Sequence, residues 1–410
     1  MNKYFAYLLV VVAFLGCNKE TDLSGIEQEL AELRDKNKHL QDEIDVMKKP
    51  VPADPVLLGL NFWAADNATL LAADVKGEII GDSVVECWVP HVMDEKKLVA
   101  DFQFVGENVK LNGSTASSRT TAYDFKKPVK LLVTNQNKSK EYTVYVHAFT
   151  GLPVVWIETW DRQEIASRQE YVNANFRLVE DVRTRSAGDV IEAGMQIKGR
   201  GNSNWAMPKK PYRLKLDQDY PLLGEHKDKA WVLLGNYADK TMLRNSTAFY
   251  MGEISNLDYT PKAHFVELML NGRYQGTYQL CEKLKRSKHR VDVGDDGFLL
   301  EIDDNYLPED AVFRTPNLKR PVNIKSTSVA TGSEDYNYVK DFVTTAENAL
   351  FSANFTDPEN GWQKYMDMDS FVDWYLICEI ARCNDAVFFT SCYMNLTRGG
   401  KLKMGPIWDF

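Results

Sequence analysis

The densest chemistry in this 410-residue chain begins at Lys198-Gly-Arg-Gly-Asn-Ser-Asn-Trp205 and continues through Pro208-Lys-Lys-Pro-Tyr-Arg-Leu-Lys-Leu216. Met195 to Lys198 reads as a strand that enters a polar loop, and the loop leads into a second strand. Gly199 and Gly201 let the backbone come close to a ligand and expose amide N–H groups. In the second strand Tyr212, Leu214 and Leu216 face a core, which leaves Arg213 and Lys215 together on the other face. A cation held on a strand beside a glycine loop is suited to neutralising phosphate charge. A solvated basic edge strand fits the same letters.

The elements that would position these cations follow in order. Trp231 to Asp239 ends in a residue suited to cap a helix running to about Tyr250, with Arg244 and Asn245 in its first turns. Those two either dock against a site or tie the fold. His264 to Leu270, the turn Asn271-Gly272 and Arg273 to Leu280 form the clearest hairpin in the chain. It runs into Cys281-Glu282-Lys283, and Glu282 is within range of a pair with Lys215. An exposed salt bridge at a strand end is the plainer alternative. Farther on, an apolar and aromatic helix from Phe371 to Cys383 leads to Asn384-Asp385. Two strands with a turn at Gly399-Gly400 then reach Gly405-Pro-Ile-Trp-Asp-Phe410, so Asp385 and Asp409 are expected at one end of a hairpin.

In this order the motifs resemble one family. G-R-G-N-S-N-W, P-K-K-P-Y-R-L-K, W-V-L-L-G-N-Y-A-D with L-R-N, N-G-R-Y-Q-G-T-Y-Q-L-C-E, the Asn384-Asp385 helix end and G-P-I-W-D-F are similar to the CotH (spore coat protein H) kinase-like domain, across residues 152 to 410. The resemblance implies an α+β atypical protein-kinase fold and transfer of the ATP γ-phosphoryl group to serine or threonine, with Mg²⁺ or Mn²⁺ as cofactor. It gives Asp385 the role of orienting or deprotonating the attacking hydroxyl, and Asp409 that of a metal ligand. Lys215 or Lys210, with Arg200, Asn202 and Glu282, become the nucleotide-binding candidates. Related domains carry an asparagine shortly after the first aspartate. Here Thr390 and Ser391 stand in that segment, and an uncharged hydroxyl such as Ser391 is a weaker metal ligand. The family motif reads W-D-F-D, so the resemblance also implies a domain that continues past Phe410.

Residues ahead of this domain read as an address and a spacer. Residues 1–17 carry Lys3, an apolar run from Phe5 to Leu15 and then Leu-Gly-Cys17. The run is too short to span a bilayer and fits a signal peptide, with Cys17 as a lipidation site of bacterial lipobox type. A lipid-anchored protein of the bacterial cell envelope, at the outer membrane or cell surface, is the expectation. Ile26, Leu30, Leu33, Asn37, Leu40, Ile44 and Met47 alternate at spacings of four and three over 18–50, which suits a coiled-coil stalk and a homodimer through it. A solvated single helix is the alternative. Pro50 stops the helix. Residues 51–150 read as short strands separated by turns and are expected to form an immunoglobulin-like β-sandwich, followed by the kinase-like domain over 151–410.

Composition narrows the choice further. The net charge of −9 argues against nucleic acid as a partner. Six cysteines, at 17, 87, 281, 378, 383 and 392, include no C-x-x-C, so neither a zinc site nor a redox dithiol is expected. Two readings compete with the kinase: a catalytically inactive kinase-like surface scaffold that binds a protein or glycan, and a hydrolase that pairs Glu301 with Asp303 or Asp304. The kinase needs Asp385, Asp409 and a lysine at one pocket; the scaffold needs none of them.

Overall fold

A computed structural model of the chain describes residues 31–41, 54–71, 73–90, 97–181, 190–307, 310–326 and 328–410. Cys17, the apolar leader, most of the heptad stretch and Pro50 lie outside the described residues. What is described of the heptads is a helix, α1, over 31–41, with Leu33 and Leu40 about half exposed on it.

Strands dominate, and among the described residues there are only three further α-helices. The first eleven strands are β1 (Val56–Phe62), β2 (Val75–Lys76), β3 (Glu78–Ile80), β4 (Val84–Val89), β5 (Lys97–Val99), β6 (Asp101–Val105), β7 (Asn108–Leu111), β8 (Ser114–Ala116), β9 (Ala122–Asp124), β10 (Val129–Asn135) and β11 (Lys138–Ala148). They make sheets of order β2-β1-β6, β3-β4-β11-β10-β7-β8 and β5-β9. The long β11 runs parallel to β4. Inward positions alternate along it, with Tyr142, Val144 and Val146 buried, as a half-buried sheet requires.

The chain divides into two compact units. The smaller holds the described residues up to Leu57, with Phe104–Asn108 and Val133–Lys140. It is tied internally by the Glu107 amide on the Thr134 carbonyl and the Gln136 amide on the Glu107 carboxylate. The larger, with Leu58–Gln103, Val109–Leu132 and Glu141–Phe410, contains every element that follows.

Its centre is a closed barrel. β12 (Val154–Thr159), β13 (Val172–Val179), β14 (Val190–Gly199), β15 (Tyr212–Tyr220), β16 (Asp228–Leu234), β17 (Ala263–Leu270) and β18 (Arg273–Glu282) close in the order β12-β13-β14-β15-β16-β18-β17. The parallel pairing of β12 with β17 completes the ring. Strict alternation on β13 buries Val172, Ala174, Phe176 and Leu178, which meet Trp231, Leu214 and Tyr278 inside. Burial of Val172, Phe176 and Leu178 contributes roughly 1.5–3 kcal/mol each. The β17–β18 hairpin turns at Asn271 and Gly272, both at positive φ, as a tight turn matched to strand twist demands.

Part of the outer face of β16 and β18 is buried as well. Val232, Leu234 and Cys281 join a second core built on a five-stranded antiparallel sheet. That sheet has the order β20-β21-β19-β22-β23, from β19 (Phe298–Ile302), β20 (Val312–Arg314), β21 (Pro321–Ile324), β22 (Cys392–Leu396) and β23 (Leu402–Met404). Helices α2 (Arg244–Glu253), α3 (Glu334–Leu350) and α4 (Met368–Ala381) pack into the same core through Phe249, Val339 and Trp374. Ser333 caps α3 and Asp367 caps α4 by accepting backbone N–H groups three residues on. The cap at Asp367 starts α4 ahead of Phe371, and the left-handed Arg382 ends it at Ala381. Asp239 is not the residue flanking α2. Its carboxylate nevertheless accepts the Arg244 amide from five residues upstream, so it satisfies the helix start across a longer loop.

Candidate active site

Two segments carry the carboxylates, and both are fixed by hydrogen bonds to neighbouring elements. Arg244 on α2 donates to the Ala381 carbonyl at the end of α4, a cation at a helix C-terminus. One 3₁₀ turn, Asn384–Ala386, then presents Asp385. On the other side, Trp408 stacks on Phe249 with ring centroids 5.9 Å apart, and the Phe410 amide donates to Asn245 Oδ1 at 3.0 Å. Asn245 Nδ2 donates to Asn236 Oδ1, Asn236 Nδ2 to Gln279 Oε1, and Gln279 Nε2 to Ser246 Oγ, at 3.0, 3.2 and 2.9 Å. This partly buried amide chain anchors the Asp409 segment to α2 and β18.

Asp385 and Asp409 line one cavity of about 370 Å³, together with Arg200, Lys209, Arg244 and Cys383. Burial first, then the charges of Asp409 and Asp303, push the Asp385 carboxyl above the ordinary aspartate range. Asp303 accepts from Thr390 Oγ1 at 2.6 Å, and Ser391 Oγ reaches Asp409 at 3.5 Å. Arg382, Phe388, Ser391 and Asp409 all hold positive φ, so four side-chain-bearing residues of this small region sit in the left-handed conformation that favours glycine. Such positions cost of order 1–3 kcal/mol each and persist where surroundings dictate them. Interaction between the neighbouring thiols of Cys378 and Cys383 holds Cys383 below and Cys378 above the usual thiol range.

A second cavity of about 620 Å³ lies between the outer barrel face and the five-stranded sheet. Arg200, Arg213, Lys283, Lys285 and Lys325 line it, with Asp310 as a single carboxylate. Lys283 is pushed down to about 7, by burial first and then by Arg213, Lys285, Lys325 and Arg290. Lys325 is held protonated by Glu301 at 2.8 Å despite burial. Arg200 lines both cavities, and its guanidinium lies 5.4 Å from the Trp408 ring centroid. Two concave sites, one cationic and one carboxylate-bearing, therefore share one arginine.

Of the residues singled out by sequence, Asp385, Asp409 and Arg200 converge here, and Ser391 touches Asp409. Others do not. Lys215 shares the outer barrel face with Arg213 but is exposed and lines neither cavity. Lys210 donates to the Trp205 carbonyl at 2.6 Å and lies over the Trp205 ring, so it locks the loop. Asn202 accepts from Arg168 at 3.0 Å, also within the loop framework. Glu282 is buried and accepts from the Tyr259 hydroxyl at 2.6 Å and the Lys262 amide at 3.0 Å, with Arg290 at 3.6 Å. The Lys215–Glu282 pair does not form, for a reason of parity. Glu282 is in register with Trp231 and Trp231 with Leu214, whose side chains fill the barrel, whereas Lys215 points out. Gly199 serves packing rather than ligand approach: a β-carbon there would stand 2.5 Å from the Trp205 ring. Glu301 is buried and paired with Lys325, Asp303 accepts from Thr390 Oγ1 and Asp304 faces Arg314 and Arg320, so each carboxylate of the hydrolase reading is engaged with another partner.

Sequence reasoning missed Lys283, Lys285, Lys325 and Lys209. Cys281 lies in the outer core, so Lys283 two residues on continues that face, and this alternation was a usable signal. Lys325 follows β21, which no local pattern brings beside β18. Lys209 directly precedes the candidate Lys210. It donates to the Thr277 carbonyl and lines the carboxylate cavity, where burial lowers its pKa.

Among the described residues no three His, Cys, Asp or Glu side chains gather as a metal cage. That is compatible with Mg²⁺, which takes one or two carboxylates and completes its shell with phosphate oxygens and water. Asp385 feels the negative charges of Asp409 and Asp303. The Asp409 carboxylate with the Ser391 hydroxyl at 3.5 Å is a donor set that fits such an ion.

The chain belongs to the CotH kinase protein family, which matches residues 197–410. The match begins inside β14, so β12 and β13 of the same barrel precede it. No curated protein matches the chain. Similar solved structures include a candidate glycoside hydrolase from Bacteroides thetaiotaomicron, at 15% identity over 70% of this chain and 77% of that one, TM-score 0.20. A DUF4623 family protein from Bacteroides eggerthii is 12% identical over 40% of this chain and 47% of that one, TM-score 0.17. Scores this low carry no argument.

Proposed function

We propose that this chain is an atypical extracytoplasmic protein kinase that transfers the γ-phosphoryl group of ATP to serine or threonine of a secreted or surface protein. The observation that carries it is the junction at Arg200, where the cationic cavity meets the cavity of Asp385 and Asp409. Arg213, Lys283, Lys285 and Lys325 neutralise a triphosphate. Arg200, held against Trp408, steadies the transferring group between the two sites. Asp385 orients the acceptor hydroxyl and receives its proton. Asp409, with Ser391, holds Mg²⁺ or Mn²⁺. The ion supplies charge neutralisation on the phosphates.

Phosphotransfer from labelled ATP with Mg²⁺ or Mn²⁺ tests this, using the full chain beside Asp385→Ala and Asp409→Ala. Label that disappears in both variants is the expected result, with Asp385→Ala losing about 10²- to 10⁴-fold. A folded protein that neither labels nor binds nucleotide leaves the inactive surface scaffold, bound to protein or glycan, as the better reading.

We further infer a lipid anchor at Cys17, a coiled-coil stalk and an immunoglobulin-like spacer ahead of the kinase-like domain. The half-exposed Leu33 and Leu40 on α1 support a helix that lacks its partner in a single chain. Cys17→Ser is expected to release the protein from the membrane fraction, and light scattering is expected to report a dimer. Retention of the variant, or a monomer, removes the corresponding part.

A further inference from the structure

We propose that Cys378 and Cys383 form an oxidisable dithiol in the wall of the carboxylate cavity, closed to a disulfide by small-molecule disulfides. The pairing is built by the end of α4. The Cys383 amide bonds to the Cys378 carbonyl at 2.9 Å and the Arg382 amide to the Glu379 carbonyl at 3.1 Å, with Arg382 left-handed. These two bonds define a Schellman helix end, whose first and sixth residues bring their side chains into contact. Here both of those positions are cysteines, one at each end of the 2.9 Å cap bond, and Cys383 packs against the core that holds Cys378. The C-x4-C spacing therefore does what C-x-x-C does elsewhere, by means of a helix cap.

Access sets the order of events. Cys383 is half-buried and lines the cavity, while Cys378 is 4% exposed and Cys392 2% exposed. The Cys383 sulfur attacks a disulfide RSSR, forms a protein–SR mixed disulfide and releases RSH. The Cys378 sulfur then attacks Cys383, closes the internal bond and expels the second RSH. Two protein thiols are oxidised and one RSSR becomes two RSH, with both thiol protons carried on the leaving groups. The closed form loses the Cys383 S–H that reaches the Asp409 carbonyl at 3.9 Å. Cys392 is occupied instead with the carbonyls of Asp385 and Thr390.

The test treats the folded full chain with oxidised glutathione and maps its disulfides by mass spectrometry, without reference to kinase activity. The expected product is a Cys378–Cys383 linked peptide, reversed by dithiothreitol, while Cys87 and Cys281 stay reduced. Cys378→Ala is expected to stop at glutathione on Cys383, and Cys383→Ala to prevent both steps. A wild-type chain that stops at the mixed disulfide, links Cys392 instead or stays reduced overturns the proposal. The wild-type map decides even if a variant fails to fold.

Discussion

Lys283 shows how one side chain reports on its surroundings. It projects from the outer face of the barrel into a cavity where Arg213, Lys285 and Lys325 also point, and burial with those charges holds it near 7. In the unfolded chain a lysine titrates near 10.4, about the ordinary value. Between roughly 7 and 10.4 the unfolded state therefore binds more protons, so this group's contribution to stability rises with pH across that window and is lost as pH falls through 7. A bound polyphosphate reverses the balance by favouring the charged form. ATP binding at pH 8 is accordingly expected to take up a fraction of a proton, seen as a buffer-dependent binding enthalpy, and Lys283→Met is expected to abolish it. Binding enthalpies that do not depend on the buffer's ionisation would remove Lys283 from the nucleotide site. The parity of β15 and β18 explains why sequence pointed to Lys215 instead. Both residues lie on the outer face, but only three-dimensional closure decides which cation is covered.

At the scale of elements, the chain's local devices were legible and its long-range ones were not. Asn271-Gly272 announced the β17–β18 hairpin because a tight turn is chosen by the residues inside it. The Asp385-to-Asp409 hairpin was legible for the same reason. Closure of the barrel by β12 against β17 was not, since it pairs residues more than 100 positions apart and leaves no local pattern. The amide chain from Asn245 to Gln279 belongs to this hidden class. Asn245→Ala strands the Phe410 amide and the Asn236 side-chain Oδ1 in a partly buried setting, at about 1–3 kcal/mol. The expected result is a melting point lower by several degrees and kcat reduced about tenfold or more, with KM for ATP little changed. Asn245→Asp keeps an acceptor for Phe410 and is expected to recover most of kcat. Equal losses in both variants would assign Asn245 to folding alone and not to the position of Asp409.

The larger compact unit joins its barrel and its five-stranded sheet through one apolar core. Val232, Leu234 and Cys281 leave the barrel's outer face to meet Phe298, Leu300, Val322 and Trp374. Separating the two would expose that whole set, whereas a hinged pair of lobes would need a thin, polar contact. The cationic cavity adjoins this shared core, with one wall on β15, β16 and the segment after β18 and the other on β19, β21 and Tyr393. A nucleotide bound there touches both walls and so stabilises both together. Hydrogen exchange across a urea series is therefore expected to give peptides of β16 and β19 one opening free energy. ATP with Mg²⁺ at a hundredfold excess over Kd should raise both by the same amount, about 2.7 kcal/mol. Two distinct slopes, or protection of one peptide alone, would mean that the walls unfold separately and that the nucleotide rests on only one of them.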